Sequence, residues 1–376
     1  MLQNAKYEVQ LRINGTLIGD VSQIAQNLKW VRRRTKVGVD EIDFTLNDVL
    51  FQRWLVARGT DISTVLKPLA LDCRIVRDGV AVCGGFLATM PAYQPSGTSA
   101  DLQLRFDGYL NFLAGAYIYP IGTVTGRMGE LVRNQIAAAD TRAQNAGKAF
   151  GFTAGVISTM NQITQTFDNY KSVKEFIVER CDNVSGAGQF DVYFHPDRTY
   201  DVLSDPNFGE VITDWTAYYP TRLNGVSANS ISAQEVGGFA SSVIGIGAGE
   251  ISSDPSQNTV ITSIQTNSEA VAEYGYVETI LQDSSISLQN TLDNNTEALL
   301  AESSSPIWQP QVTFSGRQVA PTPNGEKKMW IGDTITIINE EDMTGMTNGA
   351  FRINELSVSR EATGAETITP VLERVI

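Results

Sequence analysis

The side chains able to make or break bonds in this chain are few and far apart. Its one histidine, His195, stands in His195-Pro196-Asp197-Arg198, a turn between two extended runs, and reads as a surface turn residue. A zinc site needs several His or Cys ligands at close spacing, and neither C-x-x-C nor H-E-x-x-H occurs. The three cysteines, Cys73, Cys83 and Cys181, are an odd number in a long chain. That argues against a disulfide framework and for free thiols. No G-x-S-x-G marks a held serine nucleophile. No G-x-x-x-x-G-K-[ST] marks a nucleotide loop. Gly245-Ile246-Gly247-Ala248-Gly249 lacks phosphate-loop spacing and reads as a strand or hinge. Carboxylates remain. A glycosidase needs two, and Glu340-Glu341-Asp342 is the tempting cluster, within a polar stretch, 339–349, that reads as a solvated loop. The stretch also lacks the ligand pattern of a calcium loop. The expectation is no enzyme, no metal and no cofactor.

Composition narrows the choice further. With 376 residues, 42% apolar and 19% charged, the chain can form two or three domains with real cores. No apolar run reaches the length of a membrane span. The first six residues lack the apolar centre of a secretory signal, so synthesis in a cytoplasm is expected. Net charge is -14 and uneven. Residues 1–115 hold 13 basic and 11 acidic groups, residues 116–245 hold 9 and 13, and residues 246–376 hold 6 and 18. Phosphate affinity comes from Lys and Arg, so specific nucleic-acid binding is not expected. Arg32-Arg33-Arg34 is the single dense basic run. On an alternating strand Arg33 points away from the other two. The run is then either a solvated face or a contact with an acidic neighbour, such as another subunit.

The elements that would position these residues are mostly strands. Residues 1–115 read as all-β: 7–13 alternates and meets Asn14-Gly15, a strong hairpin signal. A second hairpin turns at Asp78-Gly79. Its favoured two-residue loop would place Cys73 and Cys83 on opposite faces. Residues 116–245 read as α+β. A helix is predicted over 129–139, with 140–150 as loop or frayed end. Another helix opens at the capping box Ser172-Val173-Lys174-Glu175 and buries Cys181. A hairpin comes next, over the His195 turn. Residues 246–376 read as a second β region with one helix, through Leu288, Leu292, Leu299 and Leu300. The fold class is therefore mainly β: two small barrel-like or sandwich domains, 1–115 and 246–376, flank an α+β domain, 116–245.

The order of pieces after Tyr274 resembles the second barrel of baseplate and tail hub proteins of tailed phages and of related contractile injection machines. The pieces are Tyr274-Gly275-Tyr276, the helix, the strand Trp308 to Phe314, then Trp330-Ile331-Gly332-Asp333 and the final strand pair. The resemblance implies a homotrimer whose paired barrels form a ring, matching a six-fold tail tube to a three-fold tip. DNA or tape measure would pass through it, with the DNA in transit and not bound specifically. Implied partners are further copies of the chain, a distal tail or tube protein, the tape-measure protein and a tip, spike or fibre. The implied place is the virion tail tip. Arg32, Arg33, Arg34, Trp308 and Trp330 are the candidate subunit contacts, with barrel core as the plainer role for both tryptophans. A receptor- or carbohydrate-binding protein is the alternative, through Tyr117, Tyr119, Tyr218 and Tyr219, and a cell-wall glycosidase using Glu340 or Glu341 a more distant one.

Overall fold

The computed structural model describes residues 5–96, 99–119, 121–167, 171–181, 190–204, 208–220, 226–235, 238–249, 259–284, 286–304, 308–342 and 347–375. Contacts divide the chain into two compact units. One is Met1–Ser232 with Gln311–Ile376, and the other is Ala233–Pro310. The fold is mainly β with six α-helices among the described residues.

Turn chemistry builds the first hairpins. Asn14 and Gly15 take φ of 48° and 83°, as a two-residue type I′ turn requires, and Ile13 meets Thr16. Asp78 and Gly79 repeat this at 49° and 82°, bringing Arg77 opposite Val80. Two pairs further on, the register shifts, so that Ile75 faces Cys83 and Cys73 faces Gly85. Cys73, Ile75 and Cys83 thus share a face, and both cysteines are buried in one core. The expected opposite placement is corrected by this bulge, which inserts a residue after the turn and inverts the facing of the strand beyond it. All three cysteines are free.

A large sheet runs through the first unit. Its order is Val226–Ser227, Ala217–Tyr219, Thr334–Asn339, Gly349–Arg360, Ala25–Arg33, Glu41–Asn47, Ser99–Gly108, Val80–Leu87, Leu71–Arg77, Tyr7–Ile13 and Thr16–Asp20. The decisive ladder joins the two ends of the chain: Glu355 pairs with Arg33 and Val358 with Trp30. Through it, Trp30, Phe44 and Phe106 share one core with Phe314 and Phe351. Among the described residues no barrel closes, because strands from both sequence regions lie in this one open sheet.

A second core lies in the same unit. The helices Met128–Asn145 and Val173–Cys181 bury Val132, Ile136, Phe176 and Ile177 against the hairpin Phe190–Phe194 and Thr199–Ser204. The capping box forms in both directions: Ser172 Oγ accepts from Glu175 N–H at 3.1 Å, and Glu175 accepts from Ser172 N–H at 2.9 Å. The first helix runs on to Asn145, past the predicted end at 139. Asp140 then accepts from the N–H groups of Phe150 and Gly151 and organises the loop.

The second unit is a small two-layer module. Strand Ser242–Ile246 lies between an antiparallel neighbour, Thr262–Thr266, and a parallel one, Glu278–Gln282. Helix Gln289–Ser303 covers one face with Leu292 and Thr296, both fully buried. A Cβ on Gly245 would lie 2.2 Å from Thr296 Oγ1. The glycine therefore admits the helix, as a strand glycine does where another element approaches closely.

Candidate functional site

The arginine run lies at the end of strand Ala25–Arg33, where the sheet meets the hairpin of the α+β core. Alternation separates its side chains as predicted. Arg32 is 1% exposed and Arg34 is 3% exposed. Arg32 Nη1 donates to Asp40 at 2.7 Å and Nη2 to the Phe194 carbonyl at 2.9 Å. Its guanidinium carbon lies 4.5 Å from the centre of the Tyr193 ring. Arg34 donates twice to Asp191 Oδ2, at 2.9 and 2.6 Å. Asp191 Oδ1 accepts the Thr35 N–H at 3.0 Å. Arg33 turns the other way, to Glu355 at 2.6 Å and Glu41 at 2.9 Å.

These contacts are within one chain and bolt the α+β layer to the sheet. Burial pushes the Asp40 carboxyl above its usual range, although Arg32 and Arg33 pull it down. Burial works against the Arg32 charge too, but Asp40 and Tyr193 outweigh it and raise its pKa. Trp330 belongs to the same junction. It is 7% exposed, and its Nε1 donates to Tyr193 Oη at 3.2 Å. Its ring centre lies 5.7 Å from the Arg32 guanidinium and 6.3 Å from the Trp30 ring. Trp308 opens the strand Trp308–Ser315; its side chain lies outside the described residues. So Arg32, Arg34 and Trp330 come together through the 190–194 strand, and Arg33 does not join them. Asp191 and Tyr193 complete the junction without having stood out in the sequence. The available signal was an aspartate inside an apolar strand, which needs a cation partner when buried.

Beside this junction, Asp333 is 3% exposed. It accepts the N–H groups of Glu210 at 3.0 Å and Trp330 at 3.1 Å. Burial nevertheless raises its pKa to about 6.

The residues weighed for catalysis are scattered. His195 closes its hairpin turn and meets Asp201 at 2.8 Å. Burial opposes the Asp201 charge, but hydrogen bonds from His195 and Val156 N–H hold its pKa below the usual range. Glu340 and Glu341 are exposed beside a turn where Asn339 Oδ1 accepts the Glu341 N–H. Asp342 accepts from Thr347, and 343–346 lie outside the described residues. Among the described residues no three His, Cys, Asp or Glu side chains gather as metal ligands, and no helix is long and apolar enough to cross a membrane.

A groove of about 750 Å³ in this unit is lined by Phe86, Phe112, Phe150, Lys148 and Arg198. Arg198 there is engaged by Asp72 at 2.5 Å and by the Phe150 carbonyl at 2.6 Å. An adjoining hollow of about 600 Å³ shares Gly115 and Phe150 and is bordered by Tyr117, Tyr119 and Arg142. Tyr117 and Tyr119 are 54% and 60% exposed. Tyr218 and Tyr219 are half-buried in the strand Ala217–Tyr219.

No protein-family model matches the sequence, and no curated protein matches it. Solved structures do match its fold. A tail protein from Neisseria meningitidis MC58 superposes with a TM-score of 0.64 at 12% identity, covering 98% of this chain and 96% of that one. The 43 kDa tail protein of prophage MuSo2 from Shewanella oneidensis gives 0.64 at 11% identity, covering 98% of each. The prophage tail protein gp18 from Listeria monocytogenes EGD-e gives 0.55 at 11% identity, covering 97% and 94%. Across nearly its whole length, the chain has the fold of phage tail proteins.

Proposed function

We propose that the protein is a structural hub of a tail tip or baseplate, three copies of which close into a ring between the tail tube and a three-fold tip. The observation that carries this reading is the breadth of the likeness: 98% of this chain and 96% of a tail protein superpose, so the match takes in both units and not one shared module. The scattered carboxylates and the His195–Asp201 pair supply no assembled catalytic set among the described residues, which supports an architectural role. In a closed ring each protomer uses two different surfaces, one against each neighbour. Its partners would be its own copies, a distal tail or tube protein, the tape-measure protein and a tip, spike or fibre, with DNA passing through unbound. It would reside in the virion, at the tail tip. Arg33, whose side chain turns away from the junction to Glu355 and Glu41, and Trp308 remain the candidates for subunit contact. Arg32, Arg34 and Trp330 would act indirectly, by holding the surface that makes the contact.

Light scattering with negative-stain imaging tests this reading. Three-fold rings are expected; a monomer at every concentration, with no ring formed on adding tail proteins, would remove it. The exposed Tyr117 and Tyr119 at the hollow keep a receptor- or carbohydrate-binding role as a second reading. A glycan array without hits eliminates that one.

A further inference from the structure

The module Ala233–Pro310 differs chemically from the rest of the chain. It contains 10 Asp and Glu and no Lys or Arg. Among the described residues, helix Gln289–Ser303 covers one face of its sheet. Val243 and Gly245 point toward helix Gln289–Ser303, so Ile244 and Ile246 point to the opposite face. The ladders set Ile264 on one side of Ile244 and Ile280 on the other. Directly opposed residues share a face, so three isoleucines form a row across all three strands. Ile264 is 66% exposed and Ile280 is 61% exposed. The neighbouring row ends at Glu278, which accepts from the hydroxyl of Tyr276, itself 58% exposed. Ile244, between Ile264 and Ile280, is half-buried, so the two outer isoleucines are the apolar surface that association would cover.

Charge decides what can cover it. A second copy of the module would bring 10 further acidic groups and no cation, and like charges oppose such a contact. Nucleic acid is excluded by the same sign. A cationic protein meets no such barrier, and its charges would find the Glu278 carboxylate beside the apolar strip. We propose that this sheet face docks a basic protein surface presenting aliphatic side chains flanked by Lys or Arg. The inference does not depend on ring formation and holds for a single chain.

The test is calorimetry on the full chain with two short probes, a peptide alternating valine with lysine and one alternating valine with glutamate. The lysine peptide should bind about tenfold more tightly, and its affinity should fall as salt is raised. Ile264→Ser with Ile280→Ser should lower that affinity about tenfold. Val211→Ser, at a site 70% exposed in the other unit, should leave it unchanged. Glu278→Gln should weaken binding and flatten the salt dependence without touching the isoleucines. Unchanged circular dichroism melts show that each variant is folded. Equal affinity for the two peptides, no binding of the lysine peptide, or the same loss in the isoleucine and Val211 variants overturns the proposal. So does a wild-type dimer abolished by the isoleucine substitutions, which would give the face to a second copy. Ring assembly is read separately by light scattering, so failure here leaves the hub reading untouched.

Discussion

The two units use charge in opposite ways. The first buries its charges in pairs: Arg34 with Asp191, Arg77 with Glu366, and Arg32 with Asp40. The second contains no Lys or Arg, and it holds its layers together with a glycine, a threonine and leucines. Buried ion pairs add little net stability, yet they penalise any arrangement that separates the partners. They suit a place where two cores must meet in one register. The second unit packs a single helix on a single sheet and needs no such registry device. Its acidic surface instead opposes self-association of an exposed apolar face.

Breaking a buried pair should have the largest effect. Arg34→Ala leaves Asp191 buried without its cation, and urea unfolding should show a loss of about 3–5 kcal/mol. The double variant with Asp191→Ala should recover part of it. A loss below about 1 kcal/mol would mean that the pair behaves as a surface bridge.

Next is Asp333. Its pKa rises from 3.8 to about 6 on folding, so the folded state holds the proton more tightly than the unfolded chain. The associated stability is fullest below the unfolded value. It is lost as pH climbs through about 6, an effect of about 3 kcal/mol. Unfolding titrations across this window should show that step in the wild type, and Asp333→Asn should flatten it. Parallel profiles would mean that burial of Asp333 carries no such penalty.

The smallest effect should fall in the second unit. Gly245→Ala forces a methyl against Thr296 and should cost about 1–3 kcal/mol. Hydrogen exchange should quicken at amides 242–246 while the Trp30 strand stays protected. Equal quickening in both places would show that the two units unfold as one and would break the comparison.

Much of the local structure was legible in the sequence. Asn14-Gly15 and Asp78-Gly79 specify turns because few residues accept positive φ at adjacent positions. Ser172 and Glu175 specify a helix start because each satisfies the other's backbone N–H. Alternation placed Arg33 opposite Arg32 and Arg34, and that separation is present. The same rule failed for Cys73 and Cys83, because a bulge has no side-chain signature here and one inserted residue inverts a face. The short helix Ser268–Tyr274 was not legible either. Its Asn267 cap accepts from Glu269 and Ala270 N–H, but the segment is too short for a helical period to show.

The junction was the least legible part. The sequence leaves Arg32 and Arg34 as either a solvated face or a contact with an acidic neighbour, and their acceptors lie in the same chain, at Asp40, Phe194 and Asp191. Which carboxylate a cation meets depends on which strands are adjacent, and adjacency is not written in local pattern. By itself the sequence determined a β-rich chain, its turns and caps, and the lack of any motif for metal, nucleotide or nucleophile, all set by residues close together along the backbone. Only the tertiary structure decided that strand Gly349–Arg360 pairs with Ala25–Arg33, joining both ends of the chain in one open sheet. That pairing depends on burying Trp30 and Val358, a gain that exists only once distant segments have come together.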